Sequence, residues 1–398
     1  MNICITSHDM EPRYICGIKK VSATLAKEWI QEHNVYFLAF QPLDNLVNEI
    51  SGIPQYHLPE PNDIASKKNL KFLIDFIREK EIDIILHQHS DIEPFTELCA
   101  KAKKETGVKL IATRHFAITY SNDAISNSFF IKDRLQISPI KWIKDFAFLI
   151  KFHLIKKRNN LRRDNHMFRF LIKNSDKIVL LCKSHITDFN KQLKLDYAEQ
   201  NKICAISNPI EICEPSNFIK KKTVLWCGRI EFGVKRTDRI IDIWSTVSHK
   251  HPEWELVIMG NGDIDFFKRI AERKGAQNIT FTGHCDPFEY YRQGSILCMT
   301  SSTEGLPMVI LEAQMYGCIP VAYNSFSSLD EIITNGVNGY KIPAFNRNKF
   351  AEQLEWLMDN ETERIRMARI CQQSVKRFDT KIITRQWIEL FQDVLKDT

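Results

Sequence analysis

Two short stretches carry residue types that could handle a charged, hydroxyl-rich ligand. The first is GRIEFGVKR, which supplies Gly228, Arg229, Lys235 and Arg236. Glycine followed by spaced cations at a helix entrance suits a diphosphate, because the side chains bring charge and the helix start brings N–H groups. The second is TSSTEGLPMVILEAQMYG, which sets Glu304 before Gly305, Leu306 and Pro307, then Met308, with Glu312 eight residues after Glu304. A carboxylate there can accept hydrogen bonds from sugar hydroxyls, and a second one from a ribose pair. The intervening backbone N–H groups, Pro307 excepted, can face phosphate. Each stretch also has a plain reading: charged turns are commonly solvated, and glutamate pairs at this spacing arise by chance.

Other polar residues compete for attention. Asp263 and Asp265 in GDIDF imitate a D-x-D metal motif, but they follow Gly260-Asn261-Gly262 at a helix start, where aspartate caps the helix. His87 and His89 alternate on one strand face without an evident third zinc ligand, so satisfied strand-end histidines are the simpler reading. Gly260-Asn261-Gly262 is only a G-x-G, too short for a dinucleotide fingerprint. The eleven cysteines form no C-x-x-C pair, and several lie in apolar runs, as buried reduced thiols would.

The elements that must position these residues follow a repeating pattern. Apolar runs at Asn2–Thr6, Val35–Phe40, Asp83–His89, Lys109–Thr113, Lys177–Cys182 and Lys202–Ile206 read as strands, separated by amphipathic stretches. A polar, proline-containing linker begins at Asn208-Pro209. A second series follows at Thr223–Cys227, Trp254–Met259, Ile279–Thr282, Ile296–Met299, Ile319–Ala322 and Gly339–Ile342. Repeated βα units predict α/β domains with parallel sheets, doubly wound, whose ligands bind beyond the carboxyl ends of the strands. The expected division is 1–210, 211–376 and a terminal helix over 377–398. In a chain of 398 residues, 44% hydrophobic and 26% charged, two such domains have ample core, and a mainly disordered chain is excluded.

Charge is concentrated. Residues 129–173 hold twelve Lys and Arg against three Asp, so the net charge of +6 comes from this segment alone. Phe129, Phe130, Trp142, Phe146, Phe148, Phe152, Phe168 and Phe170 interleave the cations. That pattern suits a helix lying on an anionic membrane surface, with Lys156, Lys157, Arg158, Arg162 and Arg163 as its contacts. The competing readings are a solvated helix whose apolar face is core, and a nucleic-acid contact, which is not the one expected. The start of the chain lacks a basic and apolar leader, and no run reaches spanning length, so the expected location is cytoplasmic, peripheral on the inner face of the cell membrane.

Taken in order, WCGRIEFGVKRTDRIIDIW, PEWELVIMGNG, ITFTGHCDPFEYY, SSTEGLPMVILEAQMYGCIPVAYN and NGVNGYKIP resemble the retaining glycosyltransferases of family 4, whose GT-B fold has two facing Rossmann-like domains. The amino-terminal half is similar more thinly, through Gly17 in YICGIKKVSATLA, His89, His115 in KLIATRH, and ISNPI; Gly17 alone occupies the usual glycine-rich first loop.

The resemblance implies roles. Arg229 and Lys235 would neutralise the departing diphosphate, with Gly228 beside them. Glu304 would hold hydroxyls of the transferred sugar, with Gly305, Leu306 and Met308 near the phosphates. Glu312 would bind the ribose, and Gly283, His284 and Cys285 would line the base pocket. His115 would face the sugar across the cleft, Gly17 would let the first loop approach the phosphates, and the last helix would return to the first domain. The implied partners are a nucleotide-sugar donor and a glycan or lipid-linked glycan acceptor, with no metal or other cofactor. The implied reaction moves a hexose, from UDP sooner than GDP, in surface polysaccharide or lipopolysaccharide synthesis. A nucleotide-sugar epimerase on the same fold and a non-catalytic membrane-surface binding protein are the alternatives.

Overall fold

The computed structural model describes residues 1–7, 17–40, 48–117, 140, 143, 157–212 and 219–396. The chain divides into two units. The first is built from Met1–Ile118, Arg162–Glu211 and Phe378–Thr398, and the second contains Ile212–Arg377.

In the first unit, strands β1 (Asn2–Ser7), β2 (Asn34–Ala39), β3 (Glu49–Ile50), β4 (Ile53–His57), β5 (Ile84–His87), β6 (Lys109–Arg114), β7 (Lys177–Leu180) and β8 (Ile203–Ala205) form one sheet in the order β3-β4-β2-β1-β5-β6-β7-β8. All neighbours are parallel except β3 and β4. Side chains alternate across β1, so both faces need cover. Ile3 and Ile5 pack with Leu25 and Trp29 of α1 (Ile18–Trp29). Cys4 lies on the other face with Leu73 and Phe76 of α2 (Lys67–Glu79) and with Phe95 and Leu98 of α3 (Glu93–Thr106). Burial pushes the Cys4 thiol pKa up, as expected of an inert core thiol. Helix α4 (Lys157–Asn174), α5 (Lys183–Leu193) and the short α6 (Tyr197–Gln200) complete this end of the unit. Phe168 and Leu171 of α4 join Phe189 and Leu193 in a cluster over β7.

The second unit contains β9 (Thr223–Cys227), α7 (Thr237–Val247), β10 (Glu255–Met259), α8 (Ile264–Arg273), β11 (Ile279–Gly283), α9 (Phe288–Gln293), β12 (Ile296–Met299), α10 (Met308–Met315), β13 (Ile319–Asn324), α11 (Leu329–Ile332), β14 (Tyr340–Pro343), α12 (Arg347–Asp359) and α13 (Glu361–Ser374). Its strands are all parallel, in the order β11-β10-β9-β12-β13-β14. Counted from β9 this is 3-2-1-4-5-6, the doubly wound order, whose direction reverses between β9 and β12. Val224, Trp226, Ile258 and Cys298 bury one face against Ile240, Trp244 and Phe267.

After α13 the chain leaves this unit, and α14 (Thr380–Lys396) packs in the first. Its Ile383, Trp387, Phe391 and Val394 are spaced for one helical face and complete the α1 side of the β1 core. Trp29 meets the Phe391 ring edge-on at 5.2 Å between centroids. An isolated pairing of Ile210 with Asp379 joins the chain's two entries into this region.

The main difference from the expected elements is the β3–β4 hairpin, which occupies a stretch read as having no strand. Ser51 and Gly52 both have positive φ (52° and 82°), the geometry of a two-residue hairpin turn. Pro54 masks the strand in the sequence; in the fold it stands opposite Glu49 of the two-residue edge strand β3, ahead of Gln55, where pairing with β2 begins.

Candidate functional site

In a sheet of this order, the loops on either side of the reversal point separate and leave a crevice. In the second unit these are the loops after β9 and β12. They carry the two stretches that the sequence singles out.

The β9 loop is held by its neighbours. Gly228 N donates to Met259 O at 3.0 Å, and Ile230 N donates to Asn261 O at 2.7 Å. This lays the β9 loop along the Gly260-Asn261-Gly262 turn. A Cβ on Gly260 would lie 1.9 Å from Gly228 O, and one on Gly262 would lie 2.1 Å from Ile230 O. The G-x-G is thus a backbone contact that brings the β9 loop into place, a role its short spacing did not reveal. Asp263 caps α8 by accepting from Phe266 N at 3.3 Å.

The β12 loop is tied to the β9 loop by three groups. Ser302 N donates to Val234 O at 2.8 Å. Thr300 Oγ1 accepts from Trp226 Nε1 at 3.0 Å and lies 3.2 Å and 3.0 Å from the Lys235 and Arg236 carbonyls. Arg239 reaches up from α7, its Nη1 donating to Thr300 O at 3.2 Å and Ser302 Oγ at 3.3 Å. The Arg239 guanidinium is buried against the Phe345 ring, 3.8 Å from its centroid. Burial, then the neighbouring Arg236, lowers its pKa to about 9. None of Thr300, Ser302 and Arg239 stood out in the sequence.

These ties bring Lys235 and Glu304 together: Lys235 Nζ donates to Glu304 Oε1 at 2.6 Å. Both side chains are largely buried. A Cβ on Gly228 would sit 3.4 Å from Lys235 Cδ, so the lysine stem crosses this glycine. Arg229 is not drawn into the pair. Its side chain is 71% exposed and lies 3.6 Å from Glu231. Arg236, grouped with the cations by sequence, is buried and bidentate to Asp238, at 2.9 Å and 2.6 Å.

The remaining second-unit candidates occupy the same carboxyl edge. Half-buried Gly305, buried Leu306 and Pro307 lead into α10, with Met308 its first residue and half-buried Glu312 one turn later. Burial pushes the thiol of Cys227, the last residue of β9, up to about 11, and the nearby Glu312 carboxylate adds to the shift. Gly283 ends β11 at φ 71°, and its carbonyl accepts from Gly260 N at 2.8 Å. Next come exposed His284 and half-buried Cys285, whose Sγ is 3.3 Å from Thr282 Oγ1.

The first unit has its own reversal point, between β1 and β5. His87 is fully buried there, its ring nitrogens 2.8 Å from Thr6 Oγ1 and 2.8 Å from Thr96 Oγ1. It is a satisfied strand-end histidine, as the simpler reading had it. His115 follows β6, with Nε2 2.6 Å from Gln88 Oε1. Facing an amide oxygen, Nε2 carries the proton. Burial, then the adjacent Arg114, lowers the His115 pKa to about 3, so the ring is neutral. Gly17 precedes α1 at φ 55° and ψ −127°, a conformation for glycine; among the described residues, an added Cβ would meet nothing within 4 Å.

The basic segment is only partly described. Lys156 and the side chains of Lys157 and Arg158 lie outside the described residues, while Arg162 and Arg163 on α4 are exposed. Phe168 and Leu171 face the core, as a packed helix requires. Among the described residues, no group of three or more His, Cys, Asp or Glu is placed to hold a metal, and no helix is long and apolar enough to cross a membrane.

Comparison with known proteins agrees with this fold. Residues 15–212 match the model for Glycosyltransferase Family 4, and residues 211–374 match that for Glycosyl transferases group 1. An α-1,4-N-acetyl-D-galactosaminyltransferase of Campylobacter jejuni, acting on an undecaprenol-linked glycan, is 22% identical over 95% of each chain. A protein of Haemophilus influenzae described as an uncharacterized glycosyltransferase is 28% identical over 53% of this chain and 60% of its own length. The amylovoran biosynthesis glycosyltransferase AmsD of Erwinia amylovora is 30% identical over 43% of this chain and 48% of its own. The matches to these last two thus span about 60% and about half of the relatives' lengths. Among solved structures, Anabaena HepE in complex with UDP superposes with a TM-score of 0.74 at 16% identity, covering 99% of this chain and 100% of that one. The lipopolysaccharide outer core galactosyltransferase WaaB gives 0.70 at 17% identity, with the same coverage. From one family model to the next the match runs almost the whole length of the sequence, and the chain belongs to the family 4 glycosyltransferases of the GT-B fold.

Proposed function

We propose that the chain moves a hexose, with retention of configuration, from a nucleotide-diphosphate sugar to a hydroxyl of a glycan acceptor, with UDP favoured over GDP. The observation that carries this reading is the Lys235–Glu304 pair, 2.6 Å long, at the reversal point of the second unit. A cation and a carboxylate are held there side by side, one suited to a leaving diphosphate and the other to sugar hydroxyls. UDP is favoured because Anabaena HepE, which shares this fold, has been solved in complex with UDP and glucose. An undecaprenol-linked glycan in the name of the Campylobacter enzyme supports a lipid-linked acceptor.

As the anomeric bond breaks, negative charge grows on the diphosphate. Lys235, with Arg229 swinging from Glu231, meets that charge as it develops, so the gain falls on the transition state. The N–H groups of Gly305, Leu306 and Met308 add donors at the start of α10. Glu304 grips hydroxyls of the departing sugar, Glu312 the ribose, and residues Gly283–Cys285 the base. The acceptor attacks from the leaving group's own side, and a departing phosphate oxygen takes its proton. Glu304 is not assigned as a nucleophile. The diphosphate charge is assigned to side chains and no metal is called for; activity retained in excess chelator checks this. His115 is assigned to the reaction from the first unit, tested by loss of turnover in His115→Ala.

The decisive experiment is nucleotide release across a donor panel with and without acceptor glycan. Lys235→Ala and Glu304→Ala should each lower release by ~10²-fold or more. Unchanged rates in both would sink the assignment. Release that needs no acceptor, with epimerised sugar recovered, would favour the epimerase reading.

Membrane attachment belongs to the same proposal. Exposed Arg162 and Arg163 support it, as do Ile140 and Ile143 in the same basic segment, 71% and 60% exposed. The chain should float with vesicles containing anionic lipid. Reversing Lys156, Lys157, Arg158, Arg162 and Arg163 to Glu should abolish flotation, and an unaltered profile would remove the membrane role.

A further inference from the structure

At the amino edge of the second sheet lies a pocket of about 360 Å³ that the proposed reaction does not use. One wall is Lys220–Lys222, the run that leads into β9. The opposite wall is one face of α13, where Arg364, Ile365, Ala368 and Arg369 recur at helical spacing. The donor-side loops leave the other ends of the same strands. A five-residue strand such as β9 separates the two edges by roughly 17 Å.

The lining has five cations, Lys220, Lys221, Lys222, Arg364 and Arg369, and one carboxylate, Glu361. Glu253 of the neighbouring surface engages Lys222 at 3.3 Å. Among the described residues, the side chains of Lys221 and Arg369 have no hydrogen-bond or ion-pair partner. The walls themselves are fixed. Lys221 N donates to Gln293 O at 2.7 Å, and Ser295 Oγ donates to Lys221 O at 2.6 Å. Arg364 Nη1 donates to the Leu357 and Met358 carbonyls at 2.6 Å and 2.7 Å. Lys220 Nζ donates to Tyr291 O at 2.9 Å, and burial lowers its pKa, the mark of a cation held where water solvates it poorly. An anion in the pocket would relieve that cost. The apolar part of the lining is Ile365, 50% exposed, with buried Tyr316 and Ile319 behind it, and Ser295 and Gln372 complete the wall.

We propose that this pocket binds a phosphate ester, its phosphate held by Lys221 and Arg369 and its organic part laid against Ile365 and Tyr316. A pocket of this volume holds a small molecule, and cations arranged around an apolar wall match a charged group on a carbon skeleton. The site is separate from the donor crevice and stands whether or not the proposed transfer reaction is correct.

The test is calorimetric titration of the full chain with glycerol 3-phosphate and with pyrophosphate at low salt. Lys235→Ala serves as the background, to weaken anion binding at the donor loops. Saturable binding in Lys235→Ala should weaken by about tenfold or more when Lys221→Glu and Arg369→Glu are added. The milder pair Lys221→Gln and Arg369→Gln replaces them if charge reversal lowers the melting temperature. Flotation on phosphatidic acid vesicles, compared with phosphatidylglycerol vesicles of equal charge, forms a second arm. A preference for phosphatidic acid that is lost with the same two substitutions, without a response to the soluble phosphates, identifies a lipid headgroup as the source of the phosphate. No saturable binding in either arm, or binding indifferent to Lys221 and Arg369, overturns the site.

Discussion

Gly260 touches no ligand in the proposed mechanism, yet it governs the donor loops. Its Cα lies so close to the Gly228 carbonyl that a methyl group would overlap it, and its φ of 138° disfavours any side chain. Gly260→Ala should therefore cost about 2–4 kcal/mol of second-unit stability by denaturant melting, and donor turnover should fall with it. Arg239 offers a gentler test of the same loops. Arg239→Leu removes both hydrogen bonds from Nη1 to the β12 loop while keeping an apolar stem under Phe345. Nucleotide release should drop by about ten- to a hundredfold, since small misplacements of a positioned carboxylate are costly. Normal release would show that the Thr300 and Ser302 ties suffice without it. The difference in legibility is physical. Lys235 and Glu304 could be read because each follows an apolar run that ends a strand. Gly260, Thr300 and Arg239 matter through contacts with distant loops, which spacing along the chain does not record.

Among elements, the central strands of both sheets were legible because they are buried on both faces and read as largely apolar runs. The β3–β4 hairpin was not, since a two-residue strand and Pro54 leave no alternation to see. Helix α4 shows the reverse problem: its cations announce a surface, while Phe168 and Leu171 show that the opposite face is core. Three histidines of the first unit make it sensitive to acid. Burial lowers the pKa of His87 on β5 and of His115 after β6 to about 3, and that of His185 on α5 to about 4. Unfolded histidine titrates near 6.5, so between those values the unfolded chain takes up protons that the folded one refuses. Stability is full above pH ~6.5 and is lost as pH falls, by about 2 kcal/mol per histidine at pH 5. Denaturant melts at pH 7.5 and pH 5 should show this, and His185→Gln should lessen the difference. A flat profile would mean that these rings meet acid without being exposed by unfolding.

On the scale of the molecule, the first unit is discontinuous. Its β1 core is covered by a helix encoded at residues 380–396, after the whole of the second unit. The one-sided spacing of Trp387, Phe391 and Val394 made the amphipathic helix legible. Its return to the first unit was expected only from the family resemblance, because periodicity names a face without naming its partner. Trp387→Ala should lower the first unit's stability by about 3–5 kcal/mol, read as a low-temperature shift of one calorimetric transition while the other holds. If both transitions moved together, the two units would be melting as one.

This arrangement also has a consequence during synthesis. When the ribosome has made residues 1–211, the strands of the first sheet exist but Trp29 and Leu25 still lack their lid. The Ile212–Arg377 half can close its own hydrophobic interior before the earlier half can. A nascent chain stalled short of residue 380 would carry one finished half and one with an open greasy face, which makes the synthesis of residues 380–396 the step at which chaperones have most to protect.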